Sequence, residues 1–509
     1  MCGIVGQFGR VDADAGRRML ARLRHRGPDD EGTVELEGAW LGHRRLSIVD
    51  VDGGAQPLAS GSGELLLVGN GEVYNHEAIR RTLADPAMRT ESDNEVALQL
   101  VAERGPGALD ELLGMFAFLI AGRDGTFVAA RDPVGIKPLY WARREETVVF
   151  ASELGAYDPE WQAAAEAFPP GHYWTPSGGL RRFAAAVGVN GHQRFEGPPG
   201  PDATVPMRML VEVRDRLIRT VERQMMGDVP VGVFLSGGLD SSIVAAIAVR
   251  HVRRTGAGLT VPTFAVGLRG SPDLAAARRV AEYLGTAHRE RVYTADDALQ
   301  ALPEVVRAIE SFDPSLVRSA VPNFFLAELA SRHVKVVLTG EGADEIFAGY
   351  EYLCRFQEED LHAELVRTIE GLHNLNLQRA DRVTMAHGLE ARVPFLERDM
   401  IDLGLALPAG WKLAGPGRQE KRVLREAFRG WLPDEVLWRD KAQFGDGSGA
   451  ASVLKQVIAD SVTEAELEEA RDLVEPPLRT REELAYYRMF ASHLPAVEPR
   501  GTVGRFATA

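Results

Sequence analysis

The segment from 229 to about 254 reads as an apolar strand, a loop of small residues and a helix. The loop is Ser236-Gly237-Gly238-Leu239-Asp240, and Ser241-Ser242 opens the helix. Glycines let backbone N–H groups approach phosphate oxygens closely, and a helix N-terminus adds positive potential. Further apolar strands alternate with helices downstream, and this order is typical of a doubly wound parallel sheet. The segment therefore predicts a nucleotide-binding α/β domain.

An aspartate inside the loop indicates a metal ion. The loop lacks the Gly-x-x-x-x-Gly-Lys-Ser/Thr arrangement of an ordinary P-loop, and a carboxylate suits a phosphate site only if Mg²⁺ lies between them. A second acidic cluster, Glu341, Asp344 and Glu345, follows the strand predicted at 334–338. Loops after parallel strands line one crevice. We therefore predict that Asp240 and Asp344 hold Mg²⁺; the alternative is a tight turn with solvated carboxylates.

The pattern changes near residue 207 and divides the chain into two domains. Residues 1–185 predict an α+β domain, with strands near 64–68, 115–120, 126–130 and 147–151 and helices near 75–84 and 93–104. Residues 186–206 are rich in Gly and Pro and read as a linker. Residues 207–509 predict the parallel sheet with added helices, with strands at 229–235, 263–268 and 334–338, helices at 208–226, 241–254 and 273–284, and mainly helix from 358.

Cys2 follows the initiator Met1, so removal of Met1 leaves a cysteine with a free α-amine. Such a residue carries its own general base, because an α-amine has an unperturbed pKa of roughly 8. A cysteine at the second position is weak evidence when taken alone. Together with the nucleotide loop it predicts two sites, one for amide cleavage and one for nucleotide chemistry.

The composition excludes several classes of protein. A length of 509 residues exceeds one ordinary core, and a net charge of −15 argues against a dedicated nucleic-acid binder. Two cysteines form no disulfide framework and predict a reduced, cytoplasmic setting. Neither a signal-peptide pattern nor a long apolar span is present in the sequence. We expect no nucleic-acid partner and no membrane partner.

The motifs together resemble those of the glutamine-hydrolysing asparagine synthetases. The resemblance covers most of the chain and fades after about residue 450. It is carried by Met-Cys-Gly-Ile-Val-Gly at 1–6, Arg-His-Arg-Gly-Pro-Asp at 24–29, Asn-Gly-Glu-Val-Tyr-Asn at 70–75, the loop at 236–242, Gly-Glu-Gly-Ala-Asp-Glu at 340–345 and Gly-Leu-Glu-Ala-Arg-Val-Pro-Phe-Leu at 388–396. It implies an N-terminal-nucleophile hydrolase sandwich followed by an ATP-pyrophosphatase domain.

The resemblance assigns roles at the glutaminase site. It implies that Cys2 is the nucleophile and that an oxyanion hole is formed by the side-chain amide of Asn70 and the backbone N–H of Gly71. It further implies that glutamine is held by Arg45, at its carboxylate, and by Glu72 and Asp93, at its ammonium group. Taken without the resemblance, Asn-Gly is also a good turn, and Asp93 before an apolar helix is a credible N-cap.

The resemblance also assigns roles at the synthetase site. It implies that Leu235 and Val266 border the adenine and that the phosphates of ATP meet Ser236, Gly237, Gly238, Leu239, Asp240, Ser241, Ser242 and Gly340. Lys441 resembles a family lysine that stabilises phosphate charge, and Arg318 matches an arginine that affects the adenylate stage. Glu341 would deprotonate or hold ammonia, whereas β-lactam-forming relatives usually carry tyrosine there.

The implied reaction uses glutamine, aspartate and ATP as small-molecule substrates. Ammonia from glutamine displaces AMP from a β-aspartyl adenylate, and an apolar passage between the sites would keep that ammonia unprotonated. An amidotransferase acting on another carboxylic acid is the alternative, since several loops set the acceptor pocket. A catalytically silent paralogue is opposed by the intact Cys2, Asn70 and Asp240. The oligomeric state stays open, with a homodimer as the candidate assembly.

Overall fold

The computed structural model describes residues 2–84, 88–193, 195, 204–256, 260–356, 358–413, 420–440 and 450–506. Within these ranges the chain forms an N-terminal sandwich of two antiparallel sheets and a C-terminal parallel sheet covered by helices. Lys441, one of the predicted site residues, lies outside the described residues. So does most of the second half of the predicted linker.

The N-terminal sandwich contains two sheets that are each six-stranded over the described residues. The strands are β1 (Gly3–Phe8), β2 (Asp30–Leu36), β3 (Ala39–Arg45), β4 (Leu58–Ala59), β5 (Leu65–Val73), β6 (Gly114–Gly122), β7 (Phe127–Arg131), β8 (Tyr140–Arg144), β9 (Thr147–Ala151), β10 (Ala165–Ala167), β11 (His172–Thr175) and β12 (Gly179–Arg182). One sheet has the order β10-β8-β9-β1-β3-β2 and the other β12-β11-β7-β6-β5-β4. Apolar side chains of both sheets meet in one core, including Ile4, Leu41, Val68, Leu119 and Phe150.

Helices cover this sandwich on both sides. They are α1 (Ala13–Arg22), α2 (His76–Arg80), α3 (Asp93–Arg104) and α4 (Pro159–Gln162), and α5 (Val189–His192) follows the last strand. Helix α1 lies on β1 and β3, whereas α3 lies on β5 in the opposite sheet. The prediction of an α+β sandwich of the N-terminal-nucleophile type is therefore confirmed.

The C-terminal domain is built on a five-stranded sheet, counted over the described residues. Its strands are β13 (Val231–Phe234), β14 (Pro262–Leu268), β15 (Ala287–Tyr293), β16 (Val336–Leu338) and β17 (Glu390–Arg392). They pair in parallel in the order β15-β14-β13-β16-β17. The order reverses direction at β13, so the loops after β13 and β16 flank one crevice. This arrangement confirms the predicted doubly wound sheet.

The remaining helices surround that sheet. They are α6 (Met207–Arg223), α7 (Leu239–Thr255), α8 (Pro272–Leu284), α9 (Ala295–Ile309), α10 (Pro314–Ser331), α11 (Ala343–Phe347), α12 (Glu358–Gly371), α13 (Asn376–Met385), α14 (Arg398–Ala406), α15 (Ala409–Lys412), α16 (Arg422–Ala427), α17 (Asp434–Leu437), α18 (Ala450–Asp460), α19 (Glu464–Ala470) and α20 (Arg481–His493). Within the described ranges, no helix is both long and apolar enough to cross a membrane.

The sequence located most elements but missed several strands. The predicted helix at 93–104 has those bounds, and the predicted helix at 75–84 is shortened to α2. Strands β15 and β17 were not predicted, because β15 carries four polar residues in seven and β17 is only three residues long. Both pair with apolar strands of the sheet, so their neighbours rather than their own composition define them.

The two domains share one buried core. Leu46, Ile48, Tyr74 and Met115 of the sandwich belong to the same apolar cluster as the helices of the C-terminal domain. The predicted linker begins as a short helix, since α5 lies on α14 and Gly188 N–H donates to Asp402 Oδ1 at 2.8 Å. The continuous core fixes the relative position of the two candidate sites.

Candidate active sites

Cys2 lies directly before β1, buried at one end of the sandwich. Its backbone nitrogen donates to Asn70 Oδ1 at 2.9 Å, and its carbonyl accepts from Arg26 Nε at 3.0 Å. Burial raises the pKa of the Cys2 thiol, while the Leu46 backbone and the Arg45 guanidinium act in the opposite direction. When Met1 is removed, the nitrogen held by Asn70 becomes the α-amine beside the thiol.

Two hydrogen-bond donors lie at the end of β5, next to Cys2. Asn70 is fully buried, and within the described residues its Nδ2 has no hydrogen-bond partner. A buried amide without a partner is costly, so such a group commonly serves a ligand. Gly71 has a φ of 146°, and a Cβ there would lie 1.9 Å from the Met115 carbonyl oxygen. Only glycine therefore fits beside Asn70.

The pocket at Cys2 also contains two carboxylates. Burial raises the pKa of Glu72 well above its ordinary value, with repulsion from Glu390 and Asp93 adding to it. Glu72 Oε2 accepts no hydrogen bond from the described residues, although Arg392 Nη2 lies 3.6 Å away. Burial also raises the pKa of Asp93. An incoming ammonium group would supply the missing partner for Glu72 Oε2.

Asp93 is not the N-cap of α3, which corrects the alternative reading of this residue. Ser92 holds the N-cap position, and Asp93 is the first residue of the helix. The Asp93 carboxylate accepts from the Val73 backbone N–H at 2.5 Å and from Asn94 Nδ2 at 3.1 Å. It therefore faces the end of β5 and the Cys2 pocket, rather than the amides of its own helix.

Arg45, the last residue of β3, supplies a positive charge to the pocket. Its guanidinium donates to the carbonyl oxygens of Val49, Asp50 and Val51 at 3.3, 2.5 and 3.0 Å. These contacts hold the following loop over the pocket, which Arg45 lines together with Cys2. A guanidinium and carboxylates that line one pocket complement an amino-acid zwitterion.

A second, larger cavity of about 940 Å³ opens at the carboxyl ends of β13, β14 and β16. Its wall includes the predicted residues Leu235, Ser236, Gly238, Leu239, Asp240, Ser241, Val266, Arg318, Gly340, Glu341 and Asp344. Gly237 is set back from this wall and contacts α8, because a Cβ there would lie 2.5 Å from the Ala277 nitrogen. Ser242 is also set back, fully buried in the first turn of α7.

The two predicted metal-binding carboxylates converge on one cation. Lys421 Nζ lies 2.5 Å from Asp240 Oδ2 and 2.6 Å from Asp344 Oδ1. Both loops are close together, since a Cβ on Gly340 would lie 2.9 Å from the Asp240 Cβ. Lys421 is buried, and the two carboxylates raise its pKa despite the opposing effect of burial. A positive group is therefore already held between Asp240 and Asp344.

This pair of carboxylates fits Mg²⁺ that also binds phosphate. Their oxygens are hard ligands, and Mg²⁺ is commonly held by one or two carboxylates plus substrate phosphates. Among the described residues, no group of three or more His, Cys, Asp or Glu is placed to hold a metal ion. Asp240 and Asp344 would therefore share the ion with a nucleotide rather than enclose it.

Glu341 also lines the cavity, and it contacts Arg379 of α13. Arg379 Nη1 also donates to Ser319 Oγ at 2.9 Å, so the arginine connects Glu341 to α10. Glu345 differs from its neighbours, because it is buried and accepts from Tyr350 Oη at 2.6 Å and Asn376 Nδ2 at 2.9 Å. Glu341 therefore faces the cavity, whereas Glu345 holds the surrounding elements together.

Comparisons with known proteins decide the family. An asparagine synthase family model matches residues 212–359 and 355–496, and a glutamine amidotransferase domain model matches residues 1–169. The chain is 40% identical over 529 aligned residues to asparagine synthetase [glutamine-hydrolyzing] 3 of Arabidopsis thaliana, covering 99% of this chain and 89% of that protein. The chain belongs to the glutamine-hydrolysing asparagine synthetase family.

Other relatives agree with this assignment. The asparagine synthetase [glutamine-hydrolyzing] of Asparagus officinalis is 39% identical over 528 residues, with 99% of this chain and 87% of the relative covered. Among solved structures, a glutamine PRPP amidotransferase from B. subtilis matches 52% of this chain and 65% of its own, at 23% identity and a TM-score of 0.32. The family assignment depends on the family models and the curated relatives.

In this asparagine synthetase family member, strand β17 stands between the two sites. Ala391 lines the nucleotide cavity. The flanking side chains point the other way, where Arg392 binds Glu390 at 2.5 Å and approaches Glu72 of the glutamine pocket. Alternation along the strand therefore gives each site its own face of β17.

Several charged residues at these sites were not identified from sequence. Lys421, Arg379 and Arg392 lie far along the chain from Asp240, Glu341 and Glu72, which they approach in that order, so local patterns do not reveal these contacts. The scarcity of lysine was a usable signal: only 6 of the 58 Lys and Arg residues are lysine. Two of the six, Lys421 and Lys455, line the nucleotide cavity.

Proposed function

We propose that this asparagine synthetase family member hydrolyses glutamine at Cys2 and uses the released ammonia to convert aspartate into asparagine at the nucleotide cavity. ATP is consumed to AMP and pyrophosphate. The observation that carries the proposal is the back-to-back arrangement of two differently equipped sites. One pocket pairs a buried thiol with zwitterion-binding charges, and the other has a glycine-rich loop beside two convergent carboxylates.

At the glutaminase site, the α-amine of Cys2 takes the thiol proton and the sulfur attacks the glutamine amide carbon. Negative charge develops on the amide oxygen, and Asn70 Nδ2 with the Gly71 N–H would stabilise it. The leaving nitrogen takes a proton and departs as ammonia, after which water hydrolyses the thioester to glutamate. Asn70 Oδ1, 2.9 Å from the Cys2 nitrogen, orients the amine for both proton transfers.

At the synthetase site, a side-chain oxygen of aspartate attacks the α-phosphorus of ATP and pyrophosphate leaves. The loop after β13 and the N-terminus of α7 would bind the phosphates. Asp240 and Asp344 would hold Mg²⁺, which supplies charge neutralisation for the pyrophosphate. Lys421, already bound to both carboxylates, keeps a second positive charge beside the leaving group.

Ammonia then attacks the activated carbonyl carbon, AMP leaves and asparagine forms. The attacking nitrogen must lose a proton, and Glu341 is the carboxylate on the cavity wall proposed to accept it. Arg379, which also lines the cavity, contacts Glu341 and would fix the position of its carboxylate. Lys441 and Arg318 complete the proposed set of catalytic residues. Lys441 would stabilise the phosphate charge, and Arg318 would act at the adenylate stage.

The test is the complete reaction with glutamine labelled at its amide nitrogen. We expect labelled asparagine, glutamate, AMP and pyrophosphate in equal amounts. Cys2→Ala should abolish synthesis from glutamine and retain synthesis from added ammonium. If aspartate supports no AMP formation while another carboxylic acid does, the asparagine assignment is wrong and the amidotransferase with a different acceptor replaces it.

The assembly, location and domain limits are further proposals. We propose a cytoplasmic homodimer, with domains at 1–185 and 207–509 joined by 186–206. Both cysteines, Cys2 and Cys354, are free thiols, which is typical of a reducing compartment. Light scattering of the purified chain distinguishes a monomer from a dimer.

A further inference from the structure

The segment from Arg479 to Phe506 forms part of the wall of the nucleotide cavity. Arg505 and Phe506 line the cavity directly, although they lie far in sequence from the glycine-rich loop. The same segment contains α20, which lies on α9, α10 and α18. This is the part of the chain where the family motifs fade, so its place at the cavity was not foreseen.

Glu482, in the first turn of α20, binds the side chain of Arg318. Glu482 Oε2 accepts from Arg318 Nη1 at 2.8 Å, and Glu482 Oε1 accepts from Tyr486 Oη at 3.1 Å. The Glu482 side chain is 5% exposed and that of Arg318 is 18% exposed. Arg318 lines the cavity from α10, so a carboxylate from the C-terminal segment fixes a cationic group that faces the cavity.

Asp313 connects the same segment to the start of α10. Its Oδ1 caps α10 by accepting from the Ser315 and Leu316 backbone N–H groups at 2.9 and 3.0 Å. Its Oδ2 accepts from the Phe506 backbone N–H at 2.9 Å and lies 3.4 Å from Arg479 Nη2. One buried carboxylate therefore positions both the helix that carries Arg318 and the segment that carries Glu482.

A neighbouring carboxylate fastens the end of the segment. Glu483, which is fully buried, lies 2.7 Å from Arg505 Nη2 and 3.0 Å from Arg479 Nη2. Arg505 Nη2 also donates to the Pro477 carbonyl oxygen at 2.8 Å. Adjacent residues of α20 thus have separate tasks, because Glu482 contacts Arg318 and Glu483 fastens Arg479 and Arg505.

We infer that Glu482 is a positioning residue for Arg318 and that the segment Arg479–Phe506 completes the adenylate site. The inference rests on the proposed function, in which Arg318 acts on the adenylate. A free arginine side chain samples many rotamers, and fixing one of them costs entropy. Arg318 Nη2 also donates to Ser315 Oγ at 3.4 Å, so Glu482 and Ser315 together hold the guanidinium at the cavity wall before the substrates bind.

The alternative is that Glu482 merely competes with phosphate for Arg318. The two readings predict opposite kinetics. If Glu482 positions Arg318, removing its charge lowers the kcat of adenylation. If Glu482 only competes, removing its charge lowers the KM for ATP and leaves kcat unchanged.

The experiment measures aspartate-dependent ATP–pyrophosphate exchange in Glu482→Gln and Glu482→Asp, with glutaminase activity assayed in the same preparations. We expect Glu482→Gln to lower the exchange kcat by about tenfold or more, since misplacement of an orienting group is costly. Glu482→Asp should recover part of the loss, and glutaminase activity should stay within about twofold. The matched control is Arg488→Ala. Arg488 lies on the same helix as Glu482, and this substitution removes its exposed ion pair with Glu466.

A second variant covers the case in which Glu482→Gln fails to fold. Tyr486→Phe removes the other hydrogen bond to Glu482 and should lower the exchange kcat by a smaller factor, about threefold. Unchanged exchange in both Glu482→Gln and Tyr486→Phe, or a lower KM at constant kcat, overturns the inference. The absence of aspartate-dependent exchange in the unmodified protein would instead overturn the proposed function.

Discussion

Arg26 of the N-terminal domain and Asp381 of the C-terminal domain form a buried ion pair, with 2.9 Å between Nη1 and Oδ2. Arg26 also donates to the Cys2 carbonyl oxygen. Asp381 lies two residues after Arg379 on α13, and Arg379 contacts Glu341. Helix α13 therefore contacts the supports of both sites, with one residue directed to each.

This pair should be important for both stability and glutamine hydrolysis. Asp381→Ala leaves the Arg26 guanidinium buried with Glu153 as its remaining carboxylate, so we expect a loss of at least about 2 kcal/mol. Glutaminase kcat should fall as well, because Arg26 holds the Cys2 backbone. Thermal unfolding and glutaminase assays measure the two effects.

The matched control is Lys335→Ala. Lys335 and Asp29 form a second ion pair between the domains, at 2.7 Å, but the lysine side chain is 37% exposed. Its loss should cost less than about 1 kcal/mol. Equal shifts in the unfolding midpoint for Asp381→Ala and Lys335→Ala would contradict the importance of the buried pair.

Neutralising either metal-site carboxylate should separate the two activities. Asp240→Asn and Asp344→Asn are each expected to lower ATP–pyrophosphate exchange by at least about a hundredfold, since each removes a charged oxygen ligand of the nucleotide-bound ion. Glutamine hydrolysis should stay near normal, because Cys2 lies in the other domain. Exchange rates measured over a range of Mg²⁺ concentrations test this, and a variant with normal Mg²⁺ dependence removes that residue from the site.

Glu341→Tyr should impair the use of ammonia more than the release of pyrophosphate. Tyrosine is neutral at pH 7 and is a poor proton acceptor there. With ammonium present, we expect pyrophosphate to exceed asparagine in the variant, whereas the two are equal in the unmodified protein. Quantifying both products in one reaction checks this. Equal losses of the two products would show that Glu341 acts in adenylation instead.

We expect the kcat/KM of the glutaminase to fall as the pH is lowered. The fall should begin at a higher pH than the titration of an ordinary glutamate would produce. Burial raises the pKa of Glu72 above its usual 4.5, so the carboxylate proposed to bind the glutamine ammonium is protonated early as the pH falls. The kcat/KM profile reports groups of the free enzyme, and repulsion from Glu390 and Asp93 adds to the upward shift of the Glu72 pKa. We therefore expect a raised apparent pKa for the acid limb.

Glu72→Gln tests the assignment of that limb. The variant should bind glutamine at least about tenfold more weakly and lose the Glu72 contribution to the pH profile. Glu77→Gln, an exposed position on the adjacent helix α2, is the control and should keep the original profile. An unchanged acid limb in Glu72→Gln would assign it to another group.

Site residues that lie together in one short segment can be identified from the local sequence pattern. Asn70 and Gly71 are adjacent at the end of β5, and Asp240 lies inside its own glycine-rich loop, so each motif contains its own geometry. The α+β character of the first domain and the parallel sheet of the second were predictable for the same reason, because hydrophobic periodicity is a local property. The sandwich arrangement was implied by the family resemblance instead.

The parts that could not be predicted depend on distant segments. Lys421 lies 181 residues from Asp240, and Glu482 lies 164 residues from Arg318. No spacing rule connects such pairs, since only the folded sheet and its helices bring them together. The N-cap reading of Asp93 was wrong for a related reason: the Val73 N–H at the end of β5 binds its carboxylate in place of the α3 amides.

The three residues of β17 also limit how this enzyme can change. They form a partition one residue thick between a glutamine pocket and a nucleotide cavity, and side-chain direction reverses at each step along a strand. A single-residue insertion or deletion before Glu390 would turn Ala391 toward Glu72 and direct the charges of Glu390 and Arg392 into the nucleotide cavity. Strand β17 can therefore accept substitutions on either face independently, but it does not tolerate a change in length.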